Sequence, residues 1–434
     1  MSVERTLRAL SAAALISFGA ACSDNGGAEN GNNEEVPSFP SYCHITEWEC
    51  EEFVDGPDLP SNRHGHAAVV LDHERVLLAG GFERLESGTS TRIDTCEIVN
   101  PLTEEVRDVA CFNRPRRDAT LVKMADGSVL ALGGTSPDNQ RLTSVERFDP
   151  DEETWENRAP MTIPYRAHTF EPMLMEDGRL FLLRINEVFG AHNPAHLAAE
   201  IYDPELDSWS EVTGLPDMEV DTMGAAMLPG DKVLVVIAEP DNITRNPPPP
   251  EDPNEDPRPG GHVLRMGIFD IATGEFEERP RFSGIRGVGL RPQVTRLPGR
   301  GFYMIVIPGD VEEPAYGYLF DGESYFREQF FERDPAPGWI STVLTGDRVL
   351  FQSNEFSQYF DLDSGVWWQF DAFSPGLYFS SIVRLEDCRL FGSGERAFQV
   401  SEEEAEAGVQ PAPLRGVDTG FCTPLGEPVD NRDL

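Results

Sequence analysis

Apolar and polar positions along this chain fall into short blocks: an apolar run, a tight polar turn, then a second apolar run. The block reads AAVVL-DHE-RVLLAGG over residues 67–81, and in its second occurrence 119–124, Asp126-Gly127 and 128–132. It returns at 172–183, 224–237, 293–307, 341–352 and 381–392, which makes seven hairpins. Asp-Gly between two apolar runs is the strongest short-range hairpin signal, because both residues accept the positive φ that such a turn demands. Beyond the hairpin at 119–132 the pattern continues with a third strand at 144–148, a turn opening on Asp149-Pro150, and a fourth strand at 154–157 that carries Trp155. The first strands are apolar at nearly every position, which predicts burial on both faces near a crowded axis.

The later half of each unit repeats. An aromatic, then Asp, then a second aromatic seven positions after the first occurs as Phe148-Asp149…Trp155, Tyr202-Asp203…Trp209, Phe269-Asp270…Phe276 and Phe360-Asp361…Trp367. Val99-Asn100…Val106 is a weaker copy, and Phe320-Asp321…Phe326 is one residue shorter. With Asp or Asn at 100, 149, 203, 270, 321 and 361, the period is near fifty. Self-similarity at that period describes an array of equal units, none of which buries its own apolar face alone. The second aromatic is expected to wedge between neighbouring sheets, and the Asp to bond the backbone two residues on. A ring of four-stranded sheets is a β-propeller, so the expected fold is all-β and seven-bladed. After residues 396–401 the last unit runs into EEEAEAG and lacks a fourth strand, whereas 44–53 (HITEWECEEF) is a spare one. That N-terminal strand is expected to close the last blade. The propeller would then span 43–402, with 403–434 a C-terminal tail held on it by a disulfide.

The chain resembles the kelch-repeat β-propellers, the galactose oxidase-like central-domain superfamily, over roughly 60–400. The matching residues are the pairs Gly80-Gly81 and Gly133-Gly134 closing the second strand, the aromatic-Asp-Pro…Trp segment, and the segments Arg63-His64-Gly65-His66 and Tyr165-Arg166-Ala167-His168 leading into first strands. Glycine is needed where a Cβ would meet a neighbouring backbone. Later units carry Arg184-Ile185, Ala238-Glu239, Pro308-Gly309, Ser353-Asn354 and Ser393-Gly394 instead, so six or eight blades stay open. Residues 240–261, with four consecutive prolines, read as an exposed excursion between the second and third strands of the fourth unit. Some members of the resembling group are copper-radical oxidases or a sugar-acid epimerase. The oxidases need a Tyr–Cys crosslink with His and Tyr copper ligands, a set not matched in the later units here.

The ends change the picture of where the chain works. Arg5 and Arg8 precede thirteen apolar or small residues, 9–21, and then Cys22. The stretch is too short to span a bilayer and reads as a signal peptide over 1–21. It resembles a bacterial lipoprotein signal with Cys22 as the lipid anchor, although Gly19 stands where a Leu is usual. Residues 22–42 are then a polar, lipidated tether. The other six cysteines, Cys43, Cys50, Cys96, Cys111, Cys388 and Cys422, suit three disulfides in an oxidising compartment; proximity suggests Cys43–Cys50, Cys96–Cys111 and Cys388–Cys422. A net charge of −41 disfavours nucleic acid and anionic headgroups as partners, so membrane contact would run only through the lipid.

Candidate chemistry is sparse. No GxSxG, HExxH or P-loop is present, and Gly287-Val288-Gly289 precedes a strand rather than a helix. His192 and His196 are four apart, but Asn193-Pro194 between them breaks any helix that would pair them on a metal. Arg63, His64, His66, Arg117, Arg166, His168 and Arg286 lie just before or at first strands, where a propeller brings them to one mouth of its channel. Such a cationic ring would receive an anionic ligand. The blander assignment, which we favour, has each Arg paired with an acidic neighbour or set on loop carbonyls. No metal and no cofactor are expected. The functional expectation is a monomeric, non-catalytic protein- or glycan-binding module at the bacterial cell envelope, facing periplasm or exterior. The rival is a carbohydrate-active oxidase or epimerase using the Arg/His ring.

Overall fold

Antiparallel sheets of four strands account for nearly all of the regular structure. The computed structural model describes residues 94–162, 170–186, 195–240 and 261–279 without interruption, most of 59–84, and separate strands elsewhere between 44 and 429. Among the described residues every regular element is a β-strand, and seven sheets hold four consecutively paired strands each. The first sheet is Ala67–Asp72, Arg75–Ala79, Cys96–Val99 and Val106–Val109; the second is Thr120–Lys123, Val129–Leu132, Val145–Asp149 and Thr154–Arg158. The third is Phe170–Leu174, Leu180–Asn186, His196–Asp203 and Ser208–Val212, and the fourth Thr222–Leu228, Lys232–Pro240, Gly261–Asp270 and Glu275–Glu278. Two more follow in the same order from Arg291 to Phe330 and from Ile340 to Phe370. The proline-rich segment 241–260 falls between the second and third strands of the fourth sheet, at the expected place.

The seventh sheet departs from the expected assembly. Its third strand is Thr419–Cys422, within the stretch read as a tail, and its outermost strand is Val54–Asp55, with Val54 opposite Phe421. The N-terminal contribution therefore comes from just beyond 44–53; His44–Ile45 pairs instead with Pro428–Val429. The apolar pattern resumes only at Phe421-Cys422, after the acidic stretch at 402–406 that no strand interior would accept.

Burial also corrects one expectation. The first strands of the first two sheets are only half-buried, whereas Val76–Ala79 and Val129–Leu132 are sequestered completely. A first strand is the edge of its sheet; the second has a strand on each side and another sheet over each face. The core consists of seams between sheets. Leu77, Ala79 and Ile98 pack on Val129, Ala131, Phe148 and Trp155; Leu130, Leu132 and Val145 pack on Leu180, Leu182 and Tyr202. Phe391 of the seventh sheet is buried against Val76, Leu78 and Val99 of the first.

The repeated Asp behaves as its position predicts. Asn100, Asp149, Asp203 and Asp270 each accept the backbone N–H groups two and three residues on, at 2.8–3.1 Å. Four residues after each of them the backbone turns left-handed, at Glu104, Glu153, Asp207 and Gly274. The wedge is real as well. The Trp155 indole N–H donates to Ala110 O of the first sheet's outer end, and that of Trp209 to Ala159 O of the second's, at 2.9 and 2.8 Å.

Candidate functional site

The end of the sheets at which first strands begin, called the mouth below, is organised by a buried ion pair that repeats with the sheets. Arg63 and Arg116 each sit four residues before a first strand, and Glu97 and Glu146 lie on third strands, three residues before the turn-forming Asn100 or Asp149. Arg63 bonds Glu97 and donates to the carbonyls of Gly80 and Thr95, both at 3.2 Å. Arg116 bonds Glu146 and donates to Gly133 O and Ser144 O at 2.8 and 2.9 Å. Glu146 also accepts the backbone N–H groups of Asn113 and Arg114. Each guanidinium thus ties the loop before a first strand to the ends of the second and third strands. Burial pulls both arginines below their ordinary range and pushes the Glu97 carboxyl up, while mutual pairing opposes it.

The glycine pairs follow from the same geometry. A Cβ on Gly80 would collide with Arg116 O, and one on Gly134 would sit 2.6 Å from Arg117 O. Both glycines have positive φ. In the third sheet Arg184 occupies the register position of Gly80 and Gly133 and itself reaches Glu200, so the carboxylate keeps a cation delivered by a different strand.

The proposed Arg/His ring resolves unevenly. Arg63 and His66 are buried, and Arg63 points into its own sheet. Arg117 is partly exposed: it lies over the Phe82 ring at 5.2 Å, donates to Asp118 at 2.6 Å, and reaches Asn139 Oδ1 at 3.3 Å. Asp118 holds φ at 53° and donates its N–H to Gly65 O, and a Cβ on Gly65 would come within 2.7 Å of Asp118 Oδ1. Arg286 begins a short strand, Arg286–Val288, paired with Gly261–Val263. His64, Arg166 and His168 lie outside the described residues, as do Cys22, Cys43, Cys50, Cys388 and His192. His196 pairs with exposed Asp217 at 3.0 Å, and no group of three or more metal-binding side chains occurs among the described residues. Cys96 and Cys111 form the expected disulfide.

Residues 124–162, the second sheet from its hairpin to its outer strand, match the Kelch motif. The chain carries the kelch motif, and its sheets are those of a kelch-type β-propeller. It is 25% identical over 249 residues to Kelch-like protein 35 of Mus musculus, covering 57% of this chain and 36% of that protein. It is 26% identical over 215 residues to Kelch-like protein 25 of Xenopus tropicalis, covering 48% and 33%. A shorter match, 34% over 76 residues, reaches Kelch-like protein 33 of Homo sapiens, covering 17% and 13%. The chain thus spans about a third or less of the length of these relatives. Among solved structures it is similar to a fungal alcohol oxidase of the AA5 family in complex with copper, with a TM-score of 0.55 at 13% identity, covering 88% of this chain and 77% of that one; this likeness is one of fold.

The propeller's fourth sheet shows what the ion pair replaces. By register Arg116, Glu146 and Gly133 become Val220, Gly267 and Ile237, and Phe276 lies where a Cβ on Gly267 would be. Val220, Ile237 and Phe276 belong to one apolar cluster. The register that reveals the ion pair was beyond the sequence reading, though Glu three residues before the repeated Asp or Asn, in three units, was a visible signal.

Proposed function

We propose that this kelch propeller is an exported, lipid-anchored, non-catalytic module that binds a protein or glycan partner at the cell envelope through its mouth. Its seven sheets would close as a ring, with Val54–Asp55 completing the last blade; the seating of Phe391 on the first sheet supports that closure. The observation that carries the binding reading is the Arg117–Asp118 step. A partly exposed guanidinium is stacked on Phe82 beside a non-glycine residue held left-handed, and the step is fixed by the Asp118 N–H bond to Gly65 O and by backbone bonds between Arg117 and Thr135. Backbone held in a sparsely populated region concentrates where a surface must be preset, and rigid presentation of charged side chains lowers the ordering cost of association. The enzymatic rival loses Arg63, whose donors serve Glu97 and strand-end carbonyls.

Envelope extract passed over the immobilised chain tests the contact surface. Arg117→Ala and Asn139→Ala should each lose a component that the wild type retains; identical retention by both variants overturns the mouth as the binding surface. Cys22→Ser should move the protein out of the membrane fraction, and unchanged partitioning would refute the anchor.

A further inference from the structure

Three seams between sheets can be compared position by position. On the outer strands, the first sheet presents Ile98 and Val109 towards the second, and the third presents Ile201 and Val212 towards the fourth. Register puts Arg147 and Arg158 at those positions in the second sheet, facing the third. Two side chains that seal the neighbouring seams are here replaced by two guanidiniums, and the seam opens into a cleft of about 680 Å³, within the range of small-ligand sites. It lies at the hairpin end of the sheets, where Asp126 and Asp177 turn, opposite the mouth.

The lining has a definite hydrogen-bonding character. Its floor is Met124, Leu130 and the buried edge of Tyr202, whose hydroxyl donates to Asp207 at 2.8 Å. Asp126 is already occupied by Ser128 and Arg147, Asp177 by Arg179, and Asp203 by the backbone of its own turn. The carboxylates of Asp126, Asp177 and Asp203 are therefore largely committed. The donors are not: Arg158 gives one bond to Glu156 while its buried Nε has no acceptor among the described residues, and Arg147 and Arg179 keep N–H groups to spare. Three arginines stand among four lining carboxylates, Asp126, Asp177, Asp203 and Glu205, so the cleft carries no cationic excess that would select an anion. Surplus donors without surplus positive charge suit an uncharged, oxygen-rich ligand.

We infer that this cleft is a second binding site, taking a short neutral oligosaccharide whose hydroxyl and ring oxygens accept from Arg147, Arg158 and Arg179. The inference is independent of the mouth.

Titration of the full chain with maltotetraose, cellotetraose and xylotetraose, with tetragalacturonate as the acidic comparison, tests it. At least one neutral tetramer should bind with a Kd near or below about 1 mM, and Arg158→Ala should weaken it about tenfold or more. Arg147→Ile with Arg158→Val, which copies the sealed seams, should abolish binding while the melting temperature stays level or rises. Arg117→Ala, which removes the contact proposed at the mouth, should leave the Kd of the bound tetramer unchanged. No neutral tetramer binding at about 10 mM, tighter binding of the galacturonate, or binding unmoved by the Ile/Val pair would each overturn the inference. Binding lost in Arg117→Ala and kept in Arg158→Ala would place the sugar at the mouth and overturn it too.

Discussion

Replacing Arg116 with Met keeps the stem and removes the guanidinium that organises the second sheet's mouth end. Two costs follow from its partners. Glu146 is left fully buried with only the Asn113 and Arg114 N–H groups for company, and Gly133 O and Ser144 O lose donors at 2.8 and 2.9 Å. Breaking a buried ion pair from one side costs about 3–5 kcal/mol, and an orphaned buried carbonyl adds to the same side of the balance. We expect about 4 kcal/mol in all, read as a fall in the urea midpoint at constant slope. The double variant Arg116→Met, Glu146→Met discriminates further. Isolated buried ion pairs are often exchanged for apolar groups at little cost, and the fourth sheet has made that exchange with Val220, Ile237 and Phe276. In the second sheet the pair also satisfies two carbonyls and two N–H groups, which Met cannot do. The double variant should therefore stay destabilised by about 3 kcal/mol. A loss below about 1 kcal/mol in Arg116→Met, or a double variant as stable as the wild type, would refute the view that these pairs serve backbone groups.

Two further outcomes are expected. Cys96→Ser or Cys111→Ser opens a loop of sequence separation 15 and should cost about 3 kcal/mol, measured against the wild type under non-reducing conditions; equal midpoints would mean the crosslink constrains nothing in the unfolded chain. Backbone N–H groups of Glu152 and Asp151 hold the Asp149 carboxyl below its ordinary 3.8, so its contribution is fully present above that pH and is lost as pH falls through the lowered value the carboxyl has in the fold. Asp149→Asn keeps the turn, as Asn100 does in the first sheet, but cannot titrate. Its melting temperature should fall less steeply than the wild type's below about pH 4, and parallel acid profiles would show that the turn does not hold the carboxylate.

The all-β repeat was legible because its signals are local. Asp126-Gly127 between apolar runs, Asp149 before a left-handed Glu153, and Trp155 seven positions after Phe148 each act within a dozen residues, and each formed the expected hairpin, turn or wedge. Arg63 was legible as a residue but not in its role. Whether a guanidinium faces a channel or Glu97, 34 positions away, depends on which strands lie opposite one another, and that register is set by pairing across the whole sheet. The last sheet was misassigned for a related reason: Thr419–Cys422 and Val54–Asp55 are short and belong to no apolar run, turn and apolar run in sequence, so only their neighbours make them strands.

Local sequence alone therefore determined the repeating unit, its turns and its aromatic wedge, since these depend on φ/ψ preference and apolar alternation over short spans. Tertiary structure decided which polar side chains are consumed inside the sheets and which are left outward. Arg116 and Arg147 read alike along the chain; only the strand opposite and the sheet beyond make one a buried clamp and the other the wall of an open cleft.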